Sequence, residues 1–337
     1  MMLPLLTSSR LKSARSCLRK HKLRYLDGWT LRNAPENMRF GTLVHKGLEA
    51  WWLAVLANAD RLGCAFMAMR ASVTDPFDLV RAEVLLAGYE ARWGEHAADY
   101  EVLGVEVEFE TAMINPLTGM PSQTWRLAGK IDAIVREISS GRVLVVEHKT
   151  SSEDISQGSE YWRRLRMDGQ VSVYFEGAVA LGHDVAACLY DVLGKPGIKP
   201  LKATPVEDRK FTKAGALYAT QRIADETPEE YRTRLLEKIA EAPERYFQRG
   251  EVTRMETERE SSMVDVWQLA QSLREAERMG RAPRNPDACL SYGRTCEFFA
   301  ACSGESSLEN DPRFVRLTEM HPELARPASE PTKEVAA

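Results

Sequence analysis

Leu127 to Ser151 reads LAGKIDAIVREISSGRVLVVEHKTS, and no other stretch constrains the fold as tightly. Lys130 to Arg136 alternates apolar and polar residues, and Arg142 to Val146 is largely β-branched. Both runs therefore read as strands, joined through Ser139-Ser140-Gly141 as a hairpin-like turn. The pairing sets Asp132 across from Glu147. Because strand side chains alternate between faces, Glu147 and Lys149 share one face and His148 points to the other. Two carboxylates and an ammonium then converge on one spot.

That set suits a particular reaction. A phosphodiester is already anionic and repels hydroxide unless a divalent cation neutralises its oxygens and acidifies the attacking water. Hard cations such as Mg²⁺ or Mn²⁺ take one or two carboxylates each, with water completing the shell, and Asp132 and Glu147 supply them. Lys149 is placed to hold the water and to stabilise charge in the transition state. The plainer reading is an exposed hairpin with a surface ion pair, since an acid-X-Lys triplet on its own is a frequent coincidence.

Helices come first in the chain, then strands, then helices. Thr7 to Ser9 predicts the cap of a helix running to Tyr25, with Gly28 after it; Gly41 to Ala59 reads as a second, and Asp75-Pro76 opens a third reaching Trp93. Strands are expected near 101–113, 124–137 and 141–149, followed by a helix over about 161–181 that Gly182 stops, and by a strand at 185–193 completing the sheet. Pro196 to Lys213 reads as a loop, Thr227-Pro228-Glu229-Glu230 starts a helix to about Ala240, and Val264 to Met279 is the last long helix. The tail 326–337, rich in Pro, Ser, Glu and Ala, reads as disordered. No internal repeat is visible.

The residues GKID and VVEHKT resemble the core of the PD-(D/E)XK nucleases. Gln170 and Tyr174 in GQVSVYFEGAVALG resemble the Gln-X-X-X-Tyr motif of the RecB-like exonuclease branch, and His45 in FGTLVHKGLEAWW resembles its metal-completing histidine. YDVLGKPGIKP and RYFQRGEVTRMETE look like phage-type members, in which a Lys-Pro loop and a basic strand follow the core. The likeness spans roughly residues 8 to 303. It implies an α/β (α+β) restriction-endonuclease-like fold, a central mixed sheet flanked by helices. It also implies a DNA exonuclease acting at ends, in recombination, repair or phage DNA metabolism. His45, Asp132, Glu147 and the main-chain carbonyl of His148 would bind the metal, Lys149 would manage the water, and Gln170 with Tyr174 would orient the strand.

Read without the resemblance, each of these residues has a blander account. Gln170 and Tyr174, four apart, share one helix face, and an amphipathic helix that packs Tyr174 into the core fits equally. His45, beside Trp51 and Trp52, fits a structural histidine. An imidazole among carboxylates suits Mn²⁺ somewhat better than Mg²⁺. Glu106, in the alternating stretch Glu101 to Glu110, resembles an acidic position preceding the core; it either buttresses the metal site or decorates a solvated strand face.

Six cysteines are present. A reducing cytosol favours metal over disulfides for close cysteines. Cys289, Cys296 and Cys302 crowd into DACLSYGRTCEFFAAC, while Cys64 and Cys188 lie in apolar surroundings and read as buried hydrophobes. Cys17 is then the natural fourth ligand. One upstream and three downstream cysteines resemble the iron–sulfur subgroup of RecB-like nucleases, which implies a [4Fe–4S] cluster on Cys17, Cys289, Cys296 and Cys302, with zinc as the alternative. The six residues between Cys289 and Cys296 depart from the subgroup, which often has two.

Such a cluster would tie the chain's ends into one domain over 1–325, with N-terminal helices at 8–97, a core at about 100–195 and a C-terminal helical and cysteine region at 213–303. No apolar run of about 18 residues exists, so no membrane span is expected. MMLPLL is too short and lacks a basic flank for export, which leaves a cytoplasmic location. A formal charge of −4 fits DNA only through local patches: Arg10, Lys12, Arg15, Arg19, Lys20, Lys22 and Arg24; Arg163, Arg164 and Arg166 beside Tyr161 and Trp162; and Lys195, Lys199, Lys202, Arg209, Lys210 and Lys213. Tyr161 and Trp162 either stack on unpaired bases or pack. The resemblance further implies a single-strand annealing protein or helicase as partner. Two alternatives stay open: a catalytically silent module that holds DNA ends, and a structure- or site-specific endonuclease.

Overall fold

The structure is a computed structural model that describes residues 3–73, 75–291 and 293–324. A two-residue strand, β1 (Leu5–Leu6), leads into helix α1 (Ser8–Ser16), whose first turn is capped by the Thr7 hydroxyl accepting the Arg10 N–H at 3.3 Å. Cys17 takes an extended backbone and breaks the helix expected to reach Tyr25; α2 (Leu18–His21) and a wide helical turn at Lys22–Leu26 follow. Then come β2 (Trp29–Leu31), α3 (Glu36–Ala57), α4 (Arg61–Arg70) and α5 (Pro76–Trp93). Helix α3 begins five residues before Gly41, since Pro35 pre-sets the φ of its N-cap.

The strands β3 (Tyr100–Ile114), β4 (Pro121–Glu137) and β5 (Val143–Ser151) precede α6 (Glu160–Leu165), α7 (Gly169–Ala180) and β6 (Val185–Gly194). After an irregular stretch the chain forms α8 (Pro228–Glu241), β7 (Phe247–Val252), α9 (Glu256–Arg278), β8 (Leu290–Ser291), β9 (Arg294–Thr295), α10 (Phe299–Ser303) and β10 (Phe314–Arg316). The helix expected over 161–181 is two helices. Asp168 caps the second by accepting the Gln170 N–H at 2.9 Å, so the chain is re-aimed just before Gln170. The last long helix starts at Glu256 rather than Val264.

Strand order in the main sheet is β1-β4-β5-β6-β7, with β3 on the other edge of β4. Strand β5 is parallel to β6 and antiparallel to β4; β7 adds antiparallel to β6, so β6 does not end the sheet. Helices cover both faces, which explains the unbroken apolar run VLVV in β5. On one face Leu144 and Val146 meet Trp51, Trp52, Leu85, Tyr89 and Leu235 of α3, α5 and α8; on the other Val145 meets Leu11, Val171, Phe175 and Leu273 of α1, α7 and α9. Helix α7 lies so close to β3 that a Cβ on Gly177 would sit 2.5 Å from the Phe109 ring. A third, small cluster of Trp29, Phe298, Leu308 and Phe314 joins the N-terminal region to the C-terminal one, with Cys296 and Cys302 packed on it. Among the described residues no helix is long and apolar enough to cross a membrane. The 326–337 tail, expected to be disordered, lies outside the described residues.

Candidate active site

One edge of β4 is shared. Arg126 and Leu127 pair with β1, and pairing with β5 begins only at Ala133 opposite Val146. Between them, among the described residues, that edge has no strand partner, and Asp132 stands at the fork. Its Oδ2 accepts the backbone N–H of His148 at 2.7 Å, replacing the ladder bond that the parting strands no longer make. Beyond the fork β5 continues to Ser151, paired among the described strands with β6 alone. Glu147 and Lys149 therefore project into the opening rather than onto a ladder neighbour.

Glu147 is almost wholly buried, its side chain 3% exposed. Lys149 forms a close ion pair with Oε1, and Gln170 Nε2 donates to the same oxygen at 2.8 Å. Glu147 Oε2 has no hydrogen-bond partner among the described residues. Desolvation raises the Glu147 carboxyl, Lys149 opposing it and Asp132 adding to it. Against the desolvation that would lower it, Glu147 holds the Lys149 ammonium above the ordinary lysine range. Gln170 completes a triangle by accepting from Lys149 Nζ at 3.1 Å and donating to the Tyr174 hydroxyl at 2.6 Å. Tyr174 is buried, its ring edge-on to Phe109, and desolvation raises its hydroxyl far up. It therefore reaches the opening only through Gln170.

His45, from α3, brings Nδ1 to 3.8 Å from Asp132 Oδ2. Desolvation, joined by the neighbouring His148, holds its imidazole down at about 4, so it is neutral and able to donate a lone pair. The His148 ring lies on the opposite face, with Nδ1 3.5 Å from Asp191 Oδ2. Asp191 is itself held by the Tyr89 hydroxyl and by Arg249 at 3.0 Å. This buried network, which the sequence did not mark, backs the strand that carries Glu147.

Glu106 falls opposite Asp132, between the pairs Val105 with Ala133 and Val107 with Ile131. It is not on a solvated face: it ion-pairs with Lys130, and its φ of 52° is a left-handed conformation uncommon for a residue with a Cβ. Desolvation, then the Asp132 charge, raises its carboxyl to about 7. Because that value lies above the unfolded one, the charged form costs stability, and the cost grows as pH rises from the unfolded value to about 7. Glu106→Gln is accordingly expected to stabilise the metal-free protein at about pH 8 by on the order of 3 kcal/mol and to have little effect at about pH 4. Thermal melts at the two pH values test this; an equal gain at both would assign the effect to the backbone.

Do these residues fit a divalent cation? The buried Glu147 Oε2, an acceptor with no hydrogen bond among the described residues, beside Asp132 and a neutral imidazole, is what a hard cation satisfies. Their side chains are not closed around an ion: among the described residues no three His, Cys, Asp or Glu side chains form a ready metal-holding group. The Lys149 ammonium takes up the charge of Glu147 instead.

The same holds at the cysteines. Cys289 and Cys296 stand at the base of the β8–β9 hairpin, Cys296 N–H donating to the Cys289 carbonyl at 2.8 Å. The unusual six-residue spacing is thus a folded hairpin that returns one cysteine to the other. Cys17 Sγ accepts the Asn285 N–H at 3.4 Å. Burial, with Cys17 and Cys289 as neighbours, pushes the Cys302 thiol up. Cys188 is buried, whereas Cys64 is only half-buried.

One expected contact surface is corrected, and one reading left open is decided. Arg10 is buried, bonded to His21 Nε2 at 3.0 Å and stacked 4.6 Å over Trp125; Arg19 bonds the Ala282 carbonyl, Lys20 pairs with Glu297 and Lys22 with Asp27. Much of the N-terminal basic run joins parts of the protein rather than facing solvent. Tyr161 is buried, and the Trp162 indole N–H donates to Ile155 O at 2.7 Å while its ring packs on Gly250. Both aromatics are packing groups.

A mixed sheet between two helical layers, with an aspartate and a Glu-X-Lys pair at the parting of two strands, defines a nuclease-type α/β core. The model of the PD-(D/E)XK nuclease superfamily matches residues 5–303, and the chain belongs to that superfamily. No curated protein matches it. Solved structures similar to it include a provisionally assigned exonuclease from Eubacterium rectale, at 10% identity and TM-score 0.45 over 96% of this chain and 93% of that one. Another is the protein SSO0001, at 17% identity and TM-score 0.22 over 69% and 82%. Likenesses this loose carry no functional inference.

Proposed function

We propose that this protein is a divalent-metal-dependent DNA exonuclease of the RecB-like branch, acting at DNA ends in recombination, repair or phage DNA metabolism in the cytoplasm, alongside a single-strand annealing protein or helicase. The observation that carries the reading is the buried, unpartnered Glu147 oxygen at the β4–β5 fork, beside Asp132, Lys149 and Gln170. Asp132, Glu147, His45 and the His148 carbonyl would hold Mg²⁺ or Mn²⁺, which when bound neutralises phosphate charge and lowers the pKa of water. Lys149, its side chain one-third exposed, keeps its proton and is placed to hold the attacking water and to stabilise the anionic transition state. Gln170 positions Lys149 and Glu147, and Tyr174 fixes Gln170. Cys17, Cys289, Cys296 and Cys302 would carry a [4Fe–4S] cluster, with zinc the alternative.

End-labelled linear DNA, single- and double-stranded, and covalently closed circles incubated with Mg²⁺ or Mn²⁺ test the proposal. Linear molecules are expected to be degraded from their ends and closed circles to survive. Cutting of closed circles would replace the exonuclease with an endonuclease, and no turnover on any substrate would leave an end-holding module.

A further inference from the structure

Pro196 to Lys213, read as a loop, lies in the irregular stretch between β6 and α8, and that stretch is braced by hydrogen bonds. Lys195 N–H bonds the Ser151 carbonyl at 2.6 Å, so the segment leaves the sheet at the end of β5, four residues past Glu147. Its two legs are laced together: Thr204 N–H bonds Arg222 O at 2.8 Å, Glu226 N–H bonds Leu201 O at 2.9 Å, and the Asp225 and Glu226 carboxylates take the N–H groups of Ala203 and Leu201. Arg234 locks Glu226 to α8. On this base stands a finger in which Phe211 bridges Leu217, Tyr218 N–H bonds Lys210 O at 3.1 Å and Gly215, at φ 79°, makes the turn.

Its surface sets exposed rings among basic residues. Phe211 is 58% exposed and Tyr218 49%. The basic residues divide into two sets. Lys202, Arg209 and Arg222 are engaged in the base, by Asp225, by the Thr204 and Ile223 carbonyls and by Glu230. The ammonium groups of Lys199, Lys210 and Lys213 have no partner among the described residues. Lys195 to Ile223 holds seven basic and two acidic residues, in a chain whose net charge is −4.

We infer that this finger grips an unpaired nucleic-acid strand, with Phe211 and Tyr218 stacking on bases and Lys199, Lys210 and Lys213 meeting phosphates. Rings about half exposed leave apolar surface in water. Flat rings interleaved with free cations match the alternating apolar faces and anionic links of a single strand, whose bases, unlike those of a duplex, are free to stack on protein. The inference rests on the nuclease reading and gives its substrate class: a strand unpaired at its end, held on the rim from which it enters the fork.

Binding is read by fluorescence anisotropy in EDTA, so that it does not depend on chemistry, with a labelled oligodeoxythymidine and a duplex of equal length. The combined Phe211→Ala and Tyr218→Ala variant is expected to lose about ten- to a hundredfold in single-strand affinity with little change for duplex. Quenching of a 2-aminopurine base in the strand is expected to vanish with it and to return with Phe211→Trp. Lys210→Ala with Lys213→Ala is expected to flatten the salt dependence of log K by about 0.7 per lysine. Unchanged single-strand binding and quenching would overturn the inference. So would equal loss for strand and duplex, or a finger that binds phosphatidylserine vesicles instead. Absent degradation by the parent protein with strand binding that still depends on Phe211 and Tyr218 would sink the exonuclease reading and leave the finger standing.

Discussion

Lys149→Ala is expected to lower the rate of linear DNA degradation at least about a thousandfold while DNA affinity stays within a few-fold, with Asp132→Ala and Glu147→Ala behaving alike. The magnitude follows from position. Lys149 is the ammonium closest to Glu147, and Gln170 contacts both, so its removal takes away the group proposed to hold water and stabilise charge. The same change leaves a carboxylate with a 3% exposed side chain without its ion-pair partner, a loss of about 3–5 kcal/mol for buried pairs. Melting temperature must therefore be measured beside activity. Added Mn²⁺ is expected to recover stability in Lys149→Ala and not turnover, because a cation can neutralise Glu147 without restoring the proton-bearing group. Turnover near the parent rate in a folded Lys149→Ala would remove the assignment.

The second large effect is expected at the cysteines. In protein purified without oxygen, Cys17→Ser or Cys302→Ser should abolish visible thiolate-to-iron absorption and lower the melting temperature by roughly 10 °C. A group ligated by residues 17 and 302 closes a loop of almost the whole chain, which the chain-entropy argument values at about 6 kcal/mol. Links within the protein already brace the same junction: the Asn285 contacts with Cys17 and Ser16, the Arg19 bonds to Ala282 and Pro283, the pair of Lys20 with Glu297, the pairing of β2 with β10 and the cluster of Trp29, Phe298 and Phe314. Cys64→Ser, away from this junction, is the control and should leave absorption and stability unchanged. Zinc in place of iron in the parent protein would assign the thiols to the alternative metal, and neither metal would make them structural.

Local pattern carried much of the fold. Alternation and β-branching marked β4 and β5, Gly141 with φ 72° turns between them, and Thr227 with Glu230 forms a capping box at the start of α8. The errors lie where local signals compete. Helical periodicity runs through Met167 and Asp168, but Asp168 prefers to accept a helix-start N–H, so one expected helix became two. The extended backbone of Cys17 splits another. The basic residues of the N-terminal run looked like a phosphate grip because a sequence shows charge and not the carbonyl, ring or carboxylate that engages it.

Sequence alone determined which side chains share a face of β5, because the two-residue period of a strand is covalent geometry. Hence Glu147 and Lys149 were assigned together, opposite His148, from the letters EHK. Tertiary structure alone decided that β4 and β5 part beyond Ala133 and Val146, that α3 brings His45 to Asp132, and that Glu106 lies across from it. Those outcomes depend on register and on packing between segments far apart in the chain, free energies summed over the whole core rather than over any window of residues.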